Sequence, residues 1–239
     1  ASAHGWENTY QYASLIIFSL AVSVLFSPSE AKVDLVDLKS HFQDSWNFLM
    51  SLLKDHKFIS ILLTYRLSVF WLESMMPALL MRFLKLSLFD LGLIYKLYGV
   101  LGLLLGGVVV NFIVNQEQIV KALLASLVAQ VGVCSLFLGL SLMKTVPYWL
   151  ISSVVFAECF LQGLLGTVST IWLMQKTKSN LPAFSFSIWH GLSAIGRVWI
   201  GPVAAQIIDN FGWTYYTFSG VCLAVLSVWV CRHYMEAQA

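Results

Sequence analysis

Five charged side chains fall inside stretches of sequence that are otherwise apolar: Arg66, Glu73, Lys96, Glu158 and Arg197. Arg197 poses the question most sharply. It stands within SAIGRVWIGPVA and is the only formally charged residue between Phe184 and Ile208. A charge at the centre of a bilayer costs a few kcal/mol or more unless it faces a partner or a water-filled cavity. Three cations and two acids on four such stretches suit a polar path for an anionic solute, with arginine forming bidentate contacts to carboxylates. The same residues also suit structural ion pairs that lock helices together, for instance Arg197 with Glu158. Tyr98, Trp172, Trp189 and Trp199 offer aromatic faces that can stack on sugar rings or pack against lipid and neighbouring helices.

The elements that must hold these residues follow from composition. Of 239 residues 59% are hydrophobic, the mean hydropathy is +0.78, and only 11% are charged, against roughly 25% in soluble domains. Such a chain is an integral membrane protein. Nine Trp and 16 Phe supply interfacial belts and a lipid-facing surface. A net charge of +2 gives no reason to expect nucleic acid as a partner. The four cysteines lie in apolar stretches without a CxxC pair, so no metal site, cofactor or disulfide framework is expected.

A spanning helix needs about 20 apolar residues, and seven stretches qualify, at about 9–27, 58–80, 91–114, 122–143, 148–174, 186–208 and 213–231. Between the first two, residues 28–57 are polar. There Leu35, Leu38, Phe42, Trp46, Leu49 and Leu53 recur at helical spacing, which predicts an amphipathic linker helix on the membrane surface. With that linker in the cytoplasm, Lys and Arg divide eight inside (Lys32, Lys39, Lys54, Lys57, Lys121, Lys176, Lys178, Arg232) and three outside (Arg82, Lys85, Lys144). This places the C-terminus inside. Gly99, Gly102, Gly106 and Gly107 form a small-residue stripe for close helix packing, and Gly191, Gly196 and Gly201 repeat along the Arg197 helix, where Pro202 should introduce a kink. Sliding and bending helices are what alternating access requires, although tight packing alone accounts for the same stripe.

The two ends of the chain resemble each other. GWENTYQYASLIIFSLAVSVLF (Gly5 to Phe26) and GWTYYTFSGVCLAVLSVWVC (Gly212 to Cys231) both read Gly-Trp, a Tyr-rich turn and an apolar span, about 207 residues apart. A period of six spans is the mark of parallel-repeat transporters. The expected organisation is then 1–27 as the last helix of a missing N-terminal half, 28–57 as the cytoplasmic linker, and 58–239 as a six-helix transporter domain.

FAECFLQGLLGT (Phe156 to Thr167), LSAIGRVWIGPVA (Leu192 to Ala204), NFGWTYYTF (Asn210 to Phe218) and LIYKLYGVLGLLLGG (Leu93 to Gly107) together resemble the AmpG branch of the major facilitator superfamily. The likeness implies an all-α polytopic fold, here a six-helix half-bundle plus one extra transmembrane helix. It also implies proton-dependent import of anhydromuropeptides for cell-wall recycling across a bacterial inner membrane. Its partners would be a muropeptide-like solute, protons, the bilayer and the missing N-terminal half.

Two departures stand out. Where such proteins carry Tyr-Lys-Leu-Gly-Asp, this chain has YRLSV (Tyr65 to Val69), with an acid one turn later at Glu73. The loop NFIVNQEQIVKALL lacks the superfamily's Asp-Arg gating signature and keeps only Lys121. Proton coupling needs a carboxylate or histidine able to titrate near the working pH. Glu73 and Glu158 are the intramembrane acids, with Glu73 favoured, and His190 reads as a hydrogen-bonded interface residue. A membrane-embedded enzyme would need a clustered catalytic set near the interface, which the sequence does not offer. A facilitator for another solute, such as a drug, siderophore or acyl-CoA-like molecule, and a non-transporting remnant are the alternative readings.

Overall fold

The computed structural model describes Phe18 and residues 45–48, 50, 55–113, 118–177 and 182–236. The chain divides into two compact units, Ala1–Asp44 and Ser45–Ala239, and the second holds all the helices described below. The span expected at 9–27 and most of the linker lie outside the described residues.

Among the described residues six helices are long and apolar enough to cross a membrane: α1 (His56–Phe83), α2 (Leu88–Phe112), α3 (Ile119–Leu142), α4 (Tyr148–Gln175), α5 (Pro182–Phe211) and α6 (Trp213–Glu236). No strand occurs among the described residues. The protein is therefore an all-α polytopic membrane protein, and the six helices correspond to the last six expected spans. Their ends are set by local chemistry. Asp55 caps α1 by accepting from the Phe58 N–H at 3.0 Å, two residues inside the expected linker. The Ser87 hydroxyl caps α2 at the Asp90 N–H. Between α5 and α6, Gly212 takes φ +88° while its N–H bonds the Ile208 carbonyl at 2.9 Å. That left-handed position at a helix end is why the Gly-Trp pair begins with glycine.

Two helices are irregular. α1 is interrupted at Tyr65 and Arg66, between His56–Thr64 and Leu67–Ala78. Near its other end it carries Pro77, whose missing N–H would otherwise bond the Glu73 carbonyl, and then a π-helical turn, Leu79–Phe83. α2 has a π-helical turn at Ile94–Gly99, a feature that recurs at functional sites. Pro202 lies within a helix that runs unbroken from Pro182 to Phe211.

Packing pairs α2 with α4, α3 with α6 and α4, and α1 with α5. The α2–α4 contact rests on small residues. A Cβ on Gly102 would meet the Phe156 carbonyl oxygen at 2.8 Å, one on Gly106 would overlap the Phe160 carbonyl, and one on Gly163 would overlap the Leu103 carbonyl. Backbones this close make the expected stripe a real interface. Gly196 faces side chains rather than a backbone, Leu67 closest with Ile200 and Phe70 beyond it, whereas Gly191 and Gly201 have open space around them, so the α5 glycines do not form a comparable stripe in this bundle.

Polar links hold α6 across the bundle. The Trp71 indole N–H donates to the Tyr216 carbonyl at 2.9 Å, and the Tyr216 hydroxyl returns a bond to the Trp71 carbonyl at 2.6 Å. The Ser227 hydroxyl donates to the Thr64 carbonyl beside the α1 break. Phe48 is buried against Trp189 and Phe184, edge-on at 5.2 and 6.2 Å, while Trp46 is half exposed. Phe48, which lies off the expected apolar stripe, thus packs into the core of the second unit.

Candidate functional site

Three residues of α1 stack on one face at successive turns: Arg66, Phe70 and Glu73. Phe70 takes both arginines, with the Arg66 guanidinium 5.5 Å and the Arg197 guanidinium 5.8 Å from its ring centroid. Arg197 then reaches across from α5 to Glu73, Nη2 to Oε1 at 2.8 Å. Arg197 therefore pairs with Glu73, correcting the expected Glu158 partner. The two side chains remain 63% and 41% exposed, so the described bundle leaves this face uncovered. A charged pair on an apolar helix is costly where it faces acyl chains.

Beside it two cavities meet between α1, α2 and α4. One, of about 210 Å³, is lined by Glu73, Tyr95, Gly99 and Gln162 among others. The second, of about 570 Å³, is lined by Arg66, Asn111, Gln162, Gly166 and Thr167 among others. Leu103 and Gln162 belong to both, so the cavities form one groove with Gln162 at its waist. A Cβ on Gly166 would lie 3.6 Å from Arg66 Nη2, which shows how closely the guanidinium lies against α4.

Behind the waist lies Glu158, with 0% of its surface exposed. Its carboxyl oxygens accept from Gln130 Nε2 at 3.0 Å and from Gln162 Nε2 at 3.3 Å. Gln162 thus lines the groove and also contacts the buried acid, one helical turn away on α4. Two amide donors are the minimum compensation expected for a carboxyl group taken out of water.

The remaining candidates fall elsewhere. Lys96 is exposed within the α2 π-turn and does not line either cavity. Tyr98 is half-buried against the core of α3 and α4. Trp172 is fully enclosed by Phe58, Tyr65 and Tyr234, and Trp189 packs edge-on to Phe58 at 4.6 Å. Their rings therefore serve as packing in this conformation and present no free face to a solute. His190 is exposed and stacks on Phe186. The groove also includes Tyr95, Asn111, Gln162 and Thr167, which the charge-based reading passed over. An available signal was Gln162 four residues after Glu158 in an apolar helix, a spacing that puts both on one face.

Six apolar helices among the described residues, with Arg66, Glu73 and Arg197 near one another on one side, make this a multi-pass all-α membrane protein. The comparisons narrow the likeness. The chain is 24% identical to the anhydromuropeptide permease of Escherichia coli (strain K12) over 97% of its own length and 48% of that protein, and equally similar to the same permease of Escherichia coli O157:H7. A Rickettsia typhi protein with AmpG in its name is 20% identical over 94% of the chain and 56% of its own length. No family model matches. The chain spans about half the length of the curated relatives it matches, and its resemblance to AmpG permeases is a family-level one.

Proposed function

We propose that this chain is the C-terminal half, with one preceding helix, of a secondary transporter that carries an anhydromuropeptide-like solute inward across a bacterial inner membrane, coupled to protons, with its C-terminus in the cytoplasm. The observation that carries the reading is the groove. It brings Arg66 and Glu73 to one wall, ties Glu73 to Arg197, and touches Glu158 through Gln162. The resemblance of 97% of the chain to a permease named for anhydromuropeptides supports the solute class. A sugar-peptide presents carboxylates, hydroxyls and amides, which the guanidinium, amide and hydroxyl groups of the groove can bind. Glu73, paired at the groove, and Glu158, behind it, are the carboxyl groups available to carry protons.

Uptake of radiolabelled anhydromuropeptide by cells lacking their own permease tests this. Accumulation that requires the complete transporter and collapses with a protonophore is expected. Absence of uptake by a well-expressed complete protein would show the solute assignment to be wrong.

A further inference from the structure

The two arginines that share the Phe70 ring differ in one respect. Arg197 has an acid, Glu73, at 2.8 Å. Arg66 has none among the described residues, and its Nε is buried without a hydrogen-bond partner. The ring of Phe70 covers one side of its guanidinium but cannot neutralise it. The cavity it lines holds about 570 Å³, and none of the ten residues around that cavity is acidic. Asn111 adds amide donors on the same wall. Thr167 spends its hydroxyl proton on the Gly163 carbonyl at 2.9 Å and can only accept. The neighbouring cavity, by contrast, contains Glu73. The groove is therefore polarised, with Gln162 dividing an acid-bearing end from a cationic end.

We propose that the Arg66 end is a carboxylate subsite, in which the solute supplies the counter-ion that the described residues do not. A half-buried guanidinium whose Nε is enclosed without a partner is costly to leave unpaired, and a bidentate carboxylate satisfies both its charge and its planar donors. The Asn111 amide would hold the same group or the adjacent amide of the solute. This subsite rests on reading the groove as a solute path, and it assigns the anionic group of the solute to one end of that path.

The test is charge-selective labelling in native membranes. Val108→Cys places a thiol on the cavity wall, with Leu104→Cys as a second reporter, and peptide mass separates either from the native cysteines. A negatively charged methanethiosulfonate reagent should react on the order of tenfold faster than a positively charged one. Arg66→Gln should abolish that preference, and N-acetyl-alanyl-glutamate should slow the reaction while its diamide does not. Equal rates for the two reagents, or a preference that survives Arg66→Gln, would overturn the subsite. So would a preference that emerges only when anionic phospholipid is removed, because a lipid phosphate would then be the occupant. If anhydromuropeptide uptake fails while the dipeptide still protects the thiol, the subsite stands and the solute assignment falls.

Discussion

Arg197 Nη2 and Glu73 Oε1 lie 2.8 Å apart, bridging α5 and α1 across 124 residues of sequence. Both ends are well exposed, so the pair adds little to folding by itself. It joins α5 to α1 beside the smaller cavity, which Glu73 lines.

Arg197→Ala and Glu73→Gln should each lower uptake by at least about tenfold while leaving the unfolding temperature in detergent nearly unchanged. The exchanged pair Glu73→Arg with Arg197→Glu should recover part of the loss, since coupling between contacting residues is non-additive. Normal uptake by folded Arg197→Ala would remove the pair from the transport path.

Gly106→Ala and Gly163→Ala should each destabilise the protein by about 1–3 kcal/mol, because the added methyl would overlap a backbone carbonyl of the facing helix. Gly132→Ala and Gly201→Ala, where the space is open, are the controls and should be neutral or slightly stabilising. Unfolding in mixed micelles, followed by circular dichroism, distinguishes the two classes. Equal effects at Gly106 and Gly201 would mean that α2 and α4 are not in backbone contact.

Gln130→Leu should cost about 1–3 kcal/mol, since it leaves the buried Glu158 carboxyl with one amide donor instead of two. Adding Glu158→Leu should recover much of that loss, as apolar replacements of buried polar groups often do. The same unfolding assay reads this cycle, and simple additivity of the two changes would argue against the hydrogen bond.

Tyr216→Phe should cost about 1 kcal/mol by removing the hydroxyl that bonds the Trp71 and Leu72 carbonyls. The stacked ring contact with Trp71, 5.5 Å between centroids, is retained in this variant. Tyr216→Ala should therefore cost clearly more, and indole fluorescence reports both. Identical losses in the two variants would assign the whole effect to packing.

Much of this protein is legible in its sequence because membrane helices leave a strong local imprint. Spans of about 20 apolar residues set the six described helices to within a few residues. Helical spacing put Glu73 one turn beyond Val69, and the glycine run in α2 announced a close helix contact. Charged residues in apolar surroundings pointed to Arg197 and Glu158 by their cost alone.

What the tertiary structure decided is which of these residues meet. The partner of Arg197 could not be read from spacing, because α1 and α4 each carry one acid and periodicity within a helix says nothing about which helix lies beside it. The packing of α5 on α1 brings in Glu73, and that of α3 on α4 brings Gln130 to Glu158 instead. The same applies to the glycines: Gly106 and Gly201 are equivalent in sequence, and only the presence or absence of a facing backbone separates an interface from open space. Hydropathy and helical period are properties of one segment, whereas ion pairs, cavities and close contacts belong to pairs of segments and exist only once the bundle is assembled.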